Sequence, residues 1–223
     1  MLTGIYSAAY GMMAQLDRNE AIANNLANVN TPSFKRTATT FSSFSAYLNN
    51  TSPKFQPCDI ARVKAAQDNR PGAIRDTAVP TNMALEGPGS FVVQSPEGQK
   101  LVRNGDFHLD GDGNLVTNSG YPVLGERGPI KVTGSDFNVD SKGNIISNGA
   151  VVDKIKIIGA SDDKGQTIPT QVVGGSLEMS NVNTVEEMVS MITAMRAYEA
   201  NQKTLTSMDQ TLDKAINQMG KTG

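Results

Sequence analysis

The sequence predicts a mixed helix and beta chain. Amphipathic helices at the N- and C-termini pair as a coiled-coil-like core, with a central antiparallel beta-rich domain inserted between them. Three observations predict this. Apolar residues recur in steps of three and four near both ends of the chain. Over residues 81–173, short runs of Val, Ile, Leu and Phe are punctuated by Gly, Asp, Asn and Pro. Within that region DFHLDGDGNLVTNSG from Asp106 recurs thirty residues later as DFNVDSKGNIISNG from Asp136.

Residues 1–30 form the N-terminal core helix. Leu2, Ile5, Ala9, Met12, Leu16, Asn19, Ala23 and Leu26 alternate in steps of three and four, a heptad-like seam broken only by Asn19. Gly4 and Gly11 weaken its early turns. Pro32 ends it, because Thr31 is biased away from helical angles. Such a helix needs a partner face to be stable.

Residues 31–80 read as an extended arm or linker, rich in Ser, Thr and Asn, with room for short strands. Phe34, Phe41, Phe44, Tyr47, Leu48 and Phe55 follow no single period. Their apolar surface points to docking on a neighbour.

Residues 81–173 form the central beta domain. SFVVQ, KLVR, FHLD, NLVT, YPVLG, IKV, FNVD, NIIS and KIKII read as strands of a barrel-like or sandwich-like module. In the two repeated hairpins Phe107 and Leu109, then Phe137 and Val139, face inward by period two. Asp110 with Gly113-Asn114, and Asp140 with Gly143-Asn144, form the turns.

Residues 174–223 return to helix, the C-terminal core helix. Asn183 and Glu186 have the spacing of a capping box, and Glu186 and Glu187 suit the positive end of the helix dipole. Met188, Met191, Met195, Tyr198, Leu205, Leu212, Ile216 and Met219 form the stripe, interrupted by Gln202 and Asp209 and widened by Val185, Val189, Ile192 and Met208. Two such stripes either pair within one chain or also pair with neighbouring copies.

Composition and motifs point away from catalysis and from nucleic acid. The 223 residues carry a formal net charge of -2, with 38% hydrophobic and 5% aromatic residues and no Trp. That charge gives no electrostatic basis for binding a polyanion. Cys58 is the single cysteine and His108 the single histidine, so neither a disulfide within the chain nor a zinc cluster of these ligands is expected. His108 alternates with Phe107 and Leu109 and should face outward. Asp110-Gly-Asp112-Gly-Asn114 begins like a calcium loop, but Leu115 and Tyr121 stand where such a loop needs Gly and Glu. Neither GxSxG nor GxGxxG occurs. No catalytic residue, cofactor or metal is expected. A basic start followed by a long apolar run is missing, so neither a cleavable signal peptide nor a membrane span is read.

Three separated blocks resemble the bacterial flagellar rod and hook family. MLTGIYSAAYGMMAQLDRNEAIANNLANVNTPSFKR is similar to its N-terminal signature, with Ser33 where Gly is usual. MALEGPGSFVVQ and VRNGDFHLDGDGNLVTNSGYPVLG resemble its central beta module. GGSLEMSNVNTVEEMVSMITAMRAYEANQK resembles its C-terminal signature, through Leu177-Glu178, Ser180-Asn181-Val182, Glu186-Glu187, Arg196, Tyr198 and Glu199-Ala200-Asn201. The single beta module and YPVLGERGPIKV look most like the proximal rod form. The stretch from Gly159 to Gly174 is shorter than the resemblance leads one to expect.

The resemblance implies a structural subunit, not an enzyme, that assembles helically into the drive shaft carrying torque to the hook. It implies contacts with other copies and with neighbouring rod proteins, passage through the flagellar type III export apparatus, and a place in the basal body where the rod crosses the periplasm. A distal rod or short hook-like protein is the alternative, and a secreted beta-rich adhesin is a more distant one. The expected assembly interface is the N-terminal set above with Asn24, Asn25 and Asn28, whose amides suit a crowded helix-helix junction. From the C-terminal helix it takes Met188, Met191, Ile192, Met195, Tyr198, Gln202, Leu205, Leu212 and Ile216.

Overall fold

The computed structural model describes residues 2–43, 61–132, 137–159 and 170–219. Phe44, Tyr47, Leu48, Phe55 and Cys58 of the expected arm, and most of the short Gly159–Gly174 stretch, lie outside these residues. The chain divides into two compact units. One is drawn from Met1–Val29, Arg36–Asp68 and Val182–Gly223, the other from Asn30–Lys35 and Asn69–Asn181.

The first unit holds helix α1 (Leu2–Ala27) and helix α2 (Thr184–Met219), packed against each other as the sequence predicts. It also holds an antiparallel ribbon of β1 (Thr37–Ser43) and β2 (Ala61–Gln67), which packs on α1. The start of α2 is closed by Asn183, whose Oδ1 accepts from the Val185 N–H at 3.1 Å and more distantly from the Glu186 N–H at 3.5 Å. At the other helix's end, the Asn28 side chain donates to the Asn24 carbonyl at 2.9 Å. The same carbonyl accepts from the Asn28 N–H at 3.2 Å, so Asn28 closes the last turn through both its backbone and its side chain.

The second unit is antiparallel throughout. Its strands are β3 (Ile74–Asp76), β4 (Met83–Glu86), β5 (Gly89–Ser95), β6 (Gly98–Val102), β7 (Phe107–Leu109), β8 (Leu115–Thr117), β9 (Phe137–Val139), β10 (Asn144–Ser147), β11 (Ala150–Lys154), β12 (Ile157–Gly159), β13 (Gln171–Gly174) and β14 (Ser176–Glu178). They pair as β12-β5-β6, β11-β10-β9, β13-β4, β14-β3 and β7-β8. YPVLG and IKV, expected as strands, join the sheets only through isolated bridges such as Val93 to Val123 and Leu124 to Pro129. Met83, Leu85, Phe91, Val93, Phe107, Leu115, Val123, Ile130 and Ile145 form the middle of one apolar core, and the Phe91 and Phe107 rings meet edge to face at 5.2 Å.

The sequence repeat is a structural repeat. In the first hairpin the Asp110 N–H donates to the Asn114 carbonyl and the Gly113 N–H to the Asp110 carbonyl. In the second, Asp140, Asn144 and Gly143 repeat both bonds. Gly113 and Gly143 both stand at φ +80°, a conformation open to glycine. Phe107, Phe137 and Val139 are buried and His108 is exposed, as period two requires. The calcium-like start is a turn. The Asp110 carboxylate accepts from the N–H groups of Asp112 and Asn114 and from the Asn114 side chain. The Asn114 bonds, side chain first, hold its pKa below the ordinary range.

Candidate assembly interface

The helix pair is antiparallel with a constant register. A Cβ added to Gly4 would stand 3.1 Å from Met208 Cε, and one added to Gly11 would stand 3.0 Å from Asn201 Nδ2. The seven residues from Gly4 to Gly11 match the seven from Met208 back to Asn201. Fourteen further residues along each helix bring Asn25 to Glu187, where Asn25 Nδ2 donates to Glu187 Oε2 at 3.2 Å. Gly4 and Gly11 therefore do more than weaken the helix. They make room on α1 for the Met208 and Asn201 side chains of α2, and Ala14, Ile22 and Ala194 are buried apolar residues of the two helices.

The end of the seam beside the start of α2 is polar and buried. Asn25 is 1% exposed and Glu187 is fully buried. Asn25 Nδ2 also donates to the Thr37 carbonyl, and Asn25 Oδ1 accepts from the Thr37 N–H, both at 2.9 Å. One side chain thus ties the end of α1 to the start of β1. Arg36 Nε donates to Glu187 Oε1 at 2.5 Å, so the buried carboxylate carries a cationic partner.

The expected interface residues fall on both sides of the pair. On α2, Met191, Tyr198, Leu205 and Leu212 are partly covered, while Met188, Ile192, Met195, Gln202 and Ile216 are exposed. On α1, Ile5, Ala9, Met12 and Leu26 are partly covered, and Leu16, Ala23 and Asn24 are exposed. The Asn19 Oδ1 atom is buried with no hydrogen-bond partner, as is Gln15 Oε1. Of the three asparagines of the junction, Asn25 makes the buried contacts.

The second unit has its own buried carboxylate. Glu178 is 2% exposed and accepts from Lys35 Nζ at 2.5 Å, Arg103 Nε at 2.6 Å and the Gly72 N–H at 3.0 Å. Burial alone would raise its pKa, but Lys35, the Gly72 N–H and Arg103 together hold it below the ordinary value. Arg103 Nη1 donates to the carbonyls of Gly87 and Gly89, and Nη2 to that of Leu85. The Glu178 carbonyl accepts from the Ser33 N–H at 2.8 Å. Ser33 itself stands at φ +59°, the left-handed region that explains why the family resemblance expects Gly there. Lys35, Arg36 and Arg103 lie inside the family-like blocks, but no local pattern gives them a partner. The usable signal was the Leu177-Glu178 pair, a lone acid beside an apolar residue at a strand end.

Comparison with known proteins follows these elements. Residues 5–35, α1 and the turn after it, match the model described as flagella basal body rod protein. Residues 84–180, most of the beta unit, match the flagellar hook protein FlgE/F/G D1 domain. Residues 173–219, which include α2, match the flagellar basal body rod FlgEFG protein C-terminal model. The chain is 30% identical to the flagellar basal-body rod protein FlgG of Buchnera aphidicola subsp. Schizaphis graminum, over 96% of this chain and 98% of the relative. The chain belongs to the flagellar basal-body rod protein family.

It is equally similar to a second rod protein, FlgF of Rhizobium meliloti, at 31% identity over 99% of each chain. The hook protein FlgE of Brucella abortus is 38% identical over 116 residues, which are 52% of this chain and only 29% of the hook protein. The rod proteins, matched end to end, are therefore the better template than the hook. This rod-family chain is a structural subunit of the flagellar basal body and not an enzyme. Membership implies assembly with other flagellar axial proteins. None of its described helices is long and apolar enough to cross a membrane.

Proposed function

We propose that this rod subunit polymerises helically with its own copies, through α1 and α2, into the drive shaft that carries torque to the hook. The observation that carries the reading is the apolar surface that both terminal helices keep after pairing with each other. Leu16 on α1 and Met188, Ile192, Met195 and Ile216 on α2 are each about half exposed or more. Burying one such side chain stabilises by roughly 1.5–3 kcal/mol, so a shared wall of helices recovers stability that the single chain forgoes.

Neighbouring rod proteins would continue the same wall, and the chain would reach it through the flagellar type III export apparatus. Its single beta module and the YPVLGERGPIKV stretch support a proximal position in the rod where it crosses the periplasm. The test is complementation of a strain lacking the subunit with Leu16→Glu/Ile192→Glu. The reading expects loss of swimming and loss of rods from isolated basal bodies, with the variant still folded and exported. Normal motility from that variant would overturn it.

A further inference from the structure

Among the described residues two carboxylates are buried, Glu187 in the helix unit and Glu178 in the beta unit. Their cationic partners are neighbours in sequence. Lys35 pairs with Glu178, and Arg36 pairs with Glu187. The boundary between the two units falls on the peptide bond that joins these cations. Lys35 ends a segment of the beta unit and Arg36 begins one of the helix unit. Arg103, the second cation on Glu178, also belongs to the beta unit.

The main chain sorts in the same way. Before the boundary, the Ser33 N–H donates to the Glu178 carbonyl at 2.8 Å, and the Phe34 carbonyl accepts from the Asn181 N–H at 3.3 Å, both within the beta unit. After it, the Arg36 carbonyl accepts from the Asp68 N–H at 2.8 Å, and the Thr37 N–H donates to Asn25 Oδ1 at 2.9 Å, both within the helix unit. The chain returns to the beta unit between Asp68 and Asn69. There the Arg70 carbonyl accepts from Lys35 Nζ and Asn181 Nδ2, each at 3.0 Å, and the Gly72 N–H donates to Glu178 Oε1.

Breaking a buried ion pair is strongly destabilising when one charge is left behind without its partner. Here both members of each pair belong to one unit. Opening that unit hydrates both charges together, and the carboxylate of the other unit keeps its cations.

We infer that Lys35 and Arg36 divide the chain: consecutive cations, each fixing the fold of one unit only, so that either unit can open and close without stranding a buried charge in the other. The inference does not rest on the self-assembly reading. Both are positioning residues, with unequal stakes. Without Lys35, Glu178 keeps Arg103 and the Gly72 N–H. Without Arg36, Glu187 keeps the Asn25 amide, a neutral donor. Loss of Arg36 therefore weakens its unit more than loss of Lys35 weakens its own.

The test is amide hydrogen exchange of the full-length chain, read by mass spectrometry with fragmentation to single residues. Two pairs of amides straddle the crossings. Ser33 and Gly72 report the Glu178 side, and Thr37 and Asp68 report the Arg36 side. Lys35→Met should speed exchange at Ser33 and Gly72 roughly tenfold and leave Thr37 and Asp68 within about twofold of wild type. Arg36→Met should speed Thr37 and Asp68 roughly a hundredfold and leave Ser33 and Gly72 within about twofold. Arg36→Lys keeps the charge and should recover protection that Arg36→Met loses.

A substitution that speeds all four amides by one common factor would show a single cooperative fold and overturn the inference. Two variants with unchanged exchange overturn it as well, as does a lysine variant of Arg36 that exchanges as fast as the methionine one. Where a variant unfolds its own unit outright, the two amides of the other unit still decide. Their retained protection upholds the division, and its loss overturns it.

Discussion

Asn25 and Glu187 face each other across the helix pair, 3.2 Å from amide nitrogen to carboxylate oxygen, and both are buried. Asn25 also closes a two-way bond with the Thr37 backbone. A single amide therefore joins α1, the start of β1 and α2. Replacing it by alanine strands the Thr37 N–H and carbonyl and takes one donor from Glu187. Each buried group left unsatisfied costs about 1–3 kcal/mol, so Asn25→Ala should destabilise the pair by about 2–4 kcal/mol. Hydrogen exchange at the α1 amides should accelerate accordingly, while exchange in the beta unit should not change.

Glu178 makes the beta unit acid-sensitive. Its folded pKa lies below the unfolded value of about 4.3. The stabilisation is therefore complete above that unfolded value and is lost as pH falls through the folded pKa. Denaturation monitored in the beta unit should be insensitive to this group at neutral pH and weaken below about pH 4. Glu178→Gln should flatten that acid limb and cost roughly 3–5 kcal/mol at pH 7, because Lys35 and Arg103 lose their partner.

Ser33 tests the left-handed turn. Ser33→Gly relieves about 1–2 kcal/mol of backbone strain. It gives back about 0.5–1 kcal/mol of chain entropy, together with the 3.2 Å bond from Ser33 Oγ to the Arg103 carbonyl. The net change should lie within about 1 kcal/mol of zero. Ser33→Val keeps the strain, adds a β-branch and loses the hydroxyl, and should lower the melting temperature clearly. Thermal unfolding of the two variants beside wild type makes the comparison.

Gly11 tests the close approach of the helices. The atom that a Cβ would meet, Asn201 Nδ2, belongs to a side chain that can swing away. Gly11→Ala should therefore be close to neutral or stabilising, since alanine gains up to about 1 kcal/mol of helix propensity. Gly11→Leu overpacks the seam and should cost about 1–3 kcal/mol. Far-UV circular dichroism against denaturant distinguishes the two substitutions.

The fold was legible where local rules act alone. The two Asp-x-x-Gly-Asn turns, the inward Phe107 and Phe137 and the paired terminal helices all follow from periodicity and turn chemistry. The faces of the helices were harder to read. Their internal seam is marked by Gly4, Gly11, Asn25 and Glu187, residues that contribute little or nothing to a hydrophobic stripe. A search for apolar heptads consequently gathers Met191 and Tyr198, which are partly covered, together with Met188, Ile192 and Met195, which are exposed. Gly72 and Gly105 were unreadable for another reason. Cβ atoms there would stand 2.0 Å from the Met179 carbonyl and 1.7 Å from that of Met83, contacts between segments far apart in the chain. The Glu178 cluster likewise needs Lys35 and Arg103 brought together from distant positions before its carboxylate has a role.

The most direct test of the shaft reading is electron cryo-microscopy of the assembled subunit at a resolution that traces its helices. The account predicts a helical tube whose wall is built from α1 and α2 of successive copies, with Met13 and Leu16 of α1 and Val189 and Ile192 of α2 covered by neighbouring copies. A polymer joined through the beta units, with those four side chains still open to solvent, would contradict it.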